Sequence, residues 1–152
     1  MYAYSNNGMS MRAVSPDYVA QSGEVMFPGI ASPEQLAAVF PEYAASVAEE
    51  NSDSLYHAAV SAGVMLISSS TPSLNGTYSL TEAARGNIQA AYIGLKSGDG
   101  LPGGGASFNY PDQNGGAHIF TATTFPPFAI AMRDYYYALT QGQSPAQPVT
   151  IP

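Results

Sequence analysis

Two histidines, His57 and His118, are the only imidazoles in the chain, and there is no cysteine. Metal binding on a helix calls for His-x-x-x-His or Glu-x-x-His spacing, and neither occurs. A Ser–His–carboxylate arrangement assembles in space, so spacing alone leaves it open. No Gly-x-Ser-x-Gly singles out a nucleophile among the many serines. His118 falls in an alternating segment and reads as a residue on one face of a hairpin. Glu49, Glu50 and Asp53 lie close enough in sequence to suggest paired acid–base carboxylates. In a polar run behind an alanine-rich stretch, they read instead as solvated charges and a helix cap.

Two loops invite a ligand reading. Gly98-Asp99-Gly100-Leu101-Pro102-Gly103-Gly104-Gly105 is glycine-rich like a phosphate cradle. It lacks the Lys-Ser/Thr pair, does not run from a strand straight into a helix, and holds a carboxylate that repels phosphate. It reads as a connector. Asp112-Gln113-Asn114-Gly115 shares the opening of a calcium loop but not its later ligands or bidentate Glu, so it reads as a β-turn. No cofactor and no metal is expected. The cluster Tyr135-Tyr136-Tyr137 is more informative. Consecutive helical positions point about 100° apart, so the three rings cannot share one core. At least one must face a surface or a partner. With Tyr2 and Tyr4 near the N-terminus, these three tyrosines are the candidate interface residues.

Composition narrows the function classes. Charged residues are 10% of the chain, less than half the usual ~25%. Charges are depleted in interface cores, so a chain packed against neighbours suits this value; so does a surface rich in Ser, Asn, Gln and Thr. The net charge is −7, and the four basic residues, Arg12, Arg85, Lys96 and Arg133, are scattered. Without a basic patch, neither phosphate backbones nor an anionic membrane are expected partners. No apolar run approaches the ~20 residues needed to span a bilayer. The first residues lack a basic region followed by an apolar core, so no signal peptide is expected and synthesis in the cytoplasm is.

The elements that must position these residues form an α+β fold. Small antiparallel hairpins pack with two to three helices, between an extended N-terminal segment and a Pro-rich C-terminal tail. Residues 1–50 are expected to form an extension with a hairpin around Ser5-Asn6-Asn7-Gly8 and a short helix. That helix is opened by the capping box Ser32-Pro33-Glu34-Gln35 and stopped by Pro41. Glu49–Ser54 reads as a break, with Ser52 or Asp53 capping a new helix whose inner side is Leu55, Ala58, Ala59 and Ala62, ended by Gly63.

Residues 51–142 form the main domain. A strand over Val64–Ser69 is followed by a turn at Leu74–Tyr78. Ser79-Leu80-Thr81-Glu82 matches a capping box for a helix with Ala84, Ile88, Ala91, Tyr92 and Leu95 inward. A hairpin pairs Ala106–Tyr110 with Ala117–Thr121. The last helix is capped by Thr123 or Thr124, with Pro126 and Pro127 in its first turn and Phe128, Met132, Tyr135, Tyr136 and Leu139 inward. Residues 143–152 read as an extended tail without strand periodicity.

Several phrases resemble known sequences. Asp17-Tyr18-Val19-Ala20-Gln21-Ser22-Gly23-Glu24-Val25, with Ser32–Leu36 and Phe40-Pro41-Glu42-Tyr43, is similar to the leader of phage tail-associated proteins. Ser70–Leu80, the glycine loop, the Phe108–Phe120 hairpin, the Phe-x-x-Phe opening of the last helix and the tail Pro145–Pro152 resemble a domain of unknown function from phage tail and tail-fibre loci. The likeness spans about two thirds of the chain, and its motifs are structural, so it implies no catalytic residues. The Tyr135–Tyr137 cluster and Phe125-Pro126-Pro127 have no counterpart in it. The resemblance implies a non-enzymatic virion protein of the tail, tail-fibre or head–tail region. Such a protein is made in the bacterial cytoplasm and carried in the particle, with other virion proteins and copies of itself as partners. A tail-fibre assembly chaperone and a host-receptor or carbohydrate-recognition module are the alternatives, with an enzyme last.

Overall fold

The computed structural model describes residues 1–152 and has an α+β architecture of eight short strands and four helices. It divides into two compact units, Met1–Ser54 and Leu55–Pro152.

In the first unit, β1 (Tyr2–Ser5) lies between β2 (Ser10–Ala13) and β3 (Val25–Phe27), antiparallel to both. The β1–β2 connection runs through Asn6, Asn7 and Gly8 with φ of 51°, 54° and 85°. Asparagine tolerates this left-handed region, and glycine enters it freely. A Cβ on Gly8 would also stand 2.9 Å from the Tyr43 ring and 3.1 Å from that of Phe40, so the site needs glycine on both counts. The small core is Tyr4, Ala31, Leu36 and Phe40, covered by Tyr2, Val25, Phe27 and Tyr43. Helix α1 (Pro33–Val39) forms as expected, with both halves of its capping box closed. The Gln35 N–H donates to Ser32 Oγ at 3.3 Å, and the Ser32 N–H donates to Gln35 Oε1 at 2.9 Å. Outside the core, Glu24 gathers the Gln21 N–H, the Tyr18 hydroxyl and the Arg12 guanidinium. Led by the Gln21 N–H, these donors lower its pKa to about 2.

Helix α2 (Tyr43–Ala62) corrects two expectations. Residues Glu49–Ser54 are helical, and the division between the units falls inside this helix, so neither Ser52 nor Asp53 caps a new one. No Gly or Pro interrupts the stretch from Tyr43 to Ala62, and acidic or small polar residues are tolerated on a helix that buries none of its side chains. Its inward face is Tyr56, Ala59 and Val60, while Leu55 stands 64% exposed.

The second unit is built on β4 (Val64–Ser68), which pairs antiparallel with β5 (Gly76–Tyr78) on one side and parallel with β8 (Val149–Ile151) on the other. A short 3-10 turn, Pro72–Leu74, leads into β5. β8 corrects the reading of the C-terminus as an extended tail. Ile151 is buried opposite Ser68, and the Ser68 hydroxyl donates to the Pro152 carbonyl at 2.7 Å. Ahead of the strand, the Gln147 side chain extends the pairing. Its Oε1 accepts from the Met65 N–H at 2.9 Å, and its Nε2 donates to the Gly63 carbonyl and the Tyr135 hydroxyl.

Against this sheet pack α3 (Glu82–Ser97), α4 (Phe125–Thr140) and the hairpin of β6 (Ser107–Pro111) and β7 (Ala117–Thr121). The expected cap of α3 is displaced. Ser79 Oγ accepts from the Thr81 N–H, and Thr81 is the N-cap, accepting from the Ala84 N–H. Thr124 precedes α4 but caps nothing. Its Oγ1 accepts from the Thr121 N–H, while Pro126 and Pro127 occupy the first turn, where a missing donor costs little. The centre of the core is aromatic. Phe128 lies 4.6 Å from Phe120 and 4.7 Å from Tyr78, and Phe108 meets Phe125 edge-on at 5.0 Å between centroids. Such pairs add about 0.5–1.5 kcal/mol each beyond the area they bury. The Tyr78 hydroxyl donates to the Leu74 carbonyl at 2.7 Å, and no buried side-chain polar atom in the protein lacks a partner.

Candidate functional site: the groove between α3 and α4

The inner stripe of α4 is Phe125, Phe128, Ala129, Met132, Tyr135 and Leu139, and that of α3 is led by Ile88 and Ala91. Each helix turns a second stripe toward the other along their shared outer seam. Arg85, Gln89, Tyr92 and Ile93 from α3 meet Ile130, Arg133 and Tyr136 from α4, around a groove of about 370 Å³ floored by Ile88, Ala129 and Met132. Residues at i, i+3, i+4, i+7 and i+8 line one helical face, which is why a single groove collects residues spread from 85 to 93.

The Arg85 carbon Cζ sits 3.7 Å from the centroid of the Tyr136 ring, within cation–π range. Its Nε–H donates to the Leu80 carbonyl at 3.1 Å. Arg85 forms no ion pair, whereas Arg12 is paired with Glu24 and Arg133 with its neighbour Asp134 in an exposed contact. An exposed pair of that kind contributes almost nothing. Two of the four basic residues thus line the groove, and no carboxylate does. Tyr136 is held from behind by Tyr56, whose hydroxyl lies 2.9 Å from its own; that hydrogen bond pushes the Tyr56 hydroxyl up.

The candidate tyrosines therefore separate. Tyr135 is buried, with its hydroxyl accepting from Gln147, and Tyr4 is buried, with its hydroxyl accepting from the Ala31 N–H at 2.9 Å. Both are core residues and leave the interface set, because their polar tips are satisfied internally. Tyr2 is half-buried over the first unit's core. Tyr136 lines the groove, and Tyr137 is 64% exposed. Composition gave no sign that Arg85 would stack on Tyr136, since the two lie on different helices.

His118 and Asp112 tie the fold together. The His118 Nδ1–H donates to the Ser73 carbonyl at 2.7 Å, and its Nε2 lies 3.3 Å from Asp112 Oδ2. This ties the β6–β7 hairpin to the turn before β5. Burial alone would raise Asp112, but the Gly116 N–H, His118 and the Asn114 N–H together hold it below its usual value. The Asp112 carboxylate closes the β-turn expected at Asp112–Gly115, taking the N–H groups of Asn114 and Gly116. His57 is exposed on α2, its ring edge-on to Tyr56 at 5.4 Å between centroids. Nowhere do three His, Cys, Asp or Glu side chains converge as metal ligands. The glycine loop is anchored by buried Leu101, and the hollow beside it is lined by Asp99 and no cation. No helix is long and apolar enough to cross a membrane.

Comparison with known proteins adds no relative: no family model matches the chain, and no curated protein or solved structure gives a match.

Proposed function

We propose that this chain is a non-enzymatic virion protein of a phage tail, tail-fibre or head–tail region, acting through protein–protein contacts. The observation that carries the protein-contact reading is the α3–α4 groove. It is an apolar trough with Ile93 and Ile130 exposed at its sides and a stacked arginine that has no acidic partner. Grooves between helices with apolar walls and a few placed polar groups receive partner side chains. The phage assignment rests on the resemblance of the leader, the Ser70–Leu80 segment and the tail. Made in the host cytoplasm, the chain would enter the particle by binding other virion proteins and copies of itself. Mass spectrometry of purified particles tests this: a constant copy number is expected, whereas presence in infected cells and absence from particles replaces it with the assembly-chaperone reading.

One observation favours a recognition module as the second reading. Tyr137 presents its ring to solvent, and an exposed aromatic face is what a sugar stacks on. Glycan binding that survives Tyr137→Ala would remove the basis of this alternative.

A further inference from the structure

We infer that the α3–α4 groove takes an acidic amphipathic helix from a partner protein, with aliphatic side chains in the trough and a Glu or Asp carboxylate seated on Arg85. This rests on the reading of the groove as a docking surface and adds the chemistry of its occupant.

Three observations converge on it. The first is shape. From Arg85 to Ile93 the α3 wall rises about 12 Å, or two helical turns, and the α4 wall from Ala129 to Tyr136 is of similar length. Two helical ridges of this length accept side chains spaced one turn apart, as a third helix offers them. The second is surface chemistry. Ile93 and Ile130 are 55% and 38% exposed, and Tyr92 and Met132 complete an apolar lining that has no carboxylate.

The third is charge. The protein carries −7 overall, yet this groove holds Arg85, which forms no ion pair, beside Arg133, which is paired with Asp134. A basic partner would meet an unpaired guanidinium here, whereas an acidic one finds at Arg85 a counter-charge that no carboxylate of the chain already holds. Arg85 is also preorganised. Stacking on Tyr136 and the bond from Nε to Leu80 orient the guanidinium, and its two terminal nitrogens make no hydrogen bond within the protein. Those nitrogens form the fork that matches a carboxylate. An uncharged apolar helix would fill the trough but leave this fork unused.

Two measurements on the full chain separate the chemistry from the docking reading. A photo-crosslinking residue in place of Ile93 is irradiated in assembling particles, and the captured peptide is mapped. Fluorescence anisotropy then follows a labelled amphipathic helix with Leu at i, i+3, i+4 and i+7 and Glu on the flanks, against the same helix with Lys for Glu. The expected result is a captured segment bearing Glu or Asp beside aliphatic residues. Binding of the Glu helix should weaken about tenfold in Arg85→Gln, which loses one charge-assisted contact, and should fall with added salt. Arg133→Gln, a change at an exposed position, should weaken it less and guards against misfolding of the first variant. Capture of a basic or uncharged segment, or a Lys helix binding as tightly as the Glu helix, overturns the acidic partner and leaves docking intact. No capture from position 93 and no binding of either helix overturns both.

Discussion

Replacing Ile151 by Ala would test whether the C-terminal strand is part of the core. Ile151 is buried at 4% exposure in β8, pairing opposite Ser68, while Thr150 beside it points outward and is exposed. The substitution removes three carbons, which at ~0.8 kcal/mol per buried CH₂ gives ~2.4 kcal/mol. A residual cavity adds to this, and buried Ile or Leu to Ala changes cost about 2–5 kcal/mol. We expect a loss of about 3 kcal/mol. The chain has no Trp and eleven Tyr, so urea unfolding followed by tyrosine fluorescence and far-ultraviolet circular dichroism is the assay. With a slope near ~2 kcal/mol/M, the midpoint of the second unit should fall by about 1.5 M. Thr150→Ala, at an exposed position on the same strand, should stay within about 0.5 kcal/mol of the parent. If Ile151→Ala matches Thr150→Ala, the tail is not docked, and the argument from parallel pairing and the Gln147 anchor is wrong.

Three further outcomes follow from the structure. Gly63→Ala should destabilise by about 2 kcal/mol or more, because φ is +75° and a Cβ there meets the Gln113 side chain and stands 2.7 Å from the Tyr78 carbonyl. Gly86→Ala, mid-helix with nothing near its Cβ, should instead stabilise by up to ~1 kcal/mol; in thermal melts, a lowered midpoint for Gly86→Ala or an unchanged one for Gly63→Ala would contradict the argument for that site. Glu24, with its pKa lowered from 4.5 to about 2, contributes stability that is present above 4.5 and lost as pH falls toward 2. Acid melts of the first unit should be flatter in Glu24→Gln, and parallel curves would sink this. Burial first, then the Asp112 charge, pushes the Tyr78 hydroxyl up, and burial does the same to Tyr110. Their neutral forms are favoured in the fold, so stability should fall as pH rises above 10. Ultraviolet titration should find both hydroxyls lagging behind the exposed tyrosines until the unit unfolds.

Local chemistry settled much of this protein before any tertiary contact was considered. Ser32 and Gln35 close their capping box with partners three residues apart, the Asn6–Gly8 turn needs only residues that accept positive φ, and the Phe108 and Phe120 hairpin follows from alternation around a turn. The stripe Phe128–Met132–Tyr135–Leu139 follows from helical period alone. Each of these signals lies within one element or across one turn, where sequence distance and spatial distance coincide.

What lay beyond the sequence depends on partners far along the chain. β8 is three residues long, too short for periodicity, and becomes a strand only because β4, some eighty residues earlier, offers a parallel edge. Thr81 rather than Ser79 caps α3, because both offer a hydroxyl and the packed start of the helix decides between them. The helix through Glu49–Ser54 persists because no Gly or Pro interrupts it, and it escaped the sequence because a helix that buries no side chain carries no apolar pattern to read. The groove was the least legible feature. Arg85 looked like one of four scattered cations until α3 and α4 packed and laid it on Tyr136, a ring from another helix, whereas Arg12 and Lys96 lie over Tyr18 and Tyr92 near them in sequence.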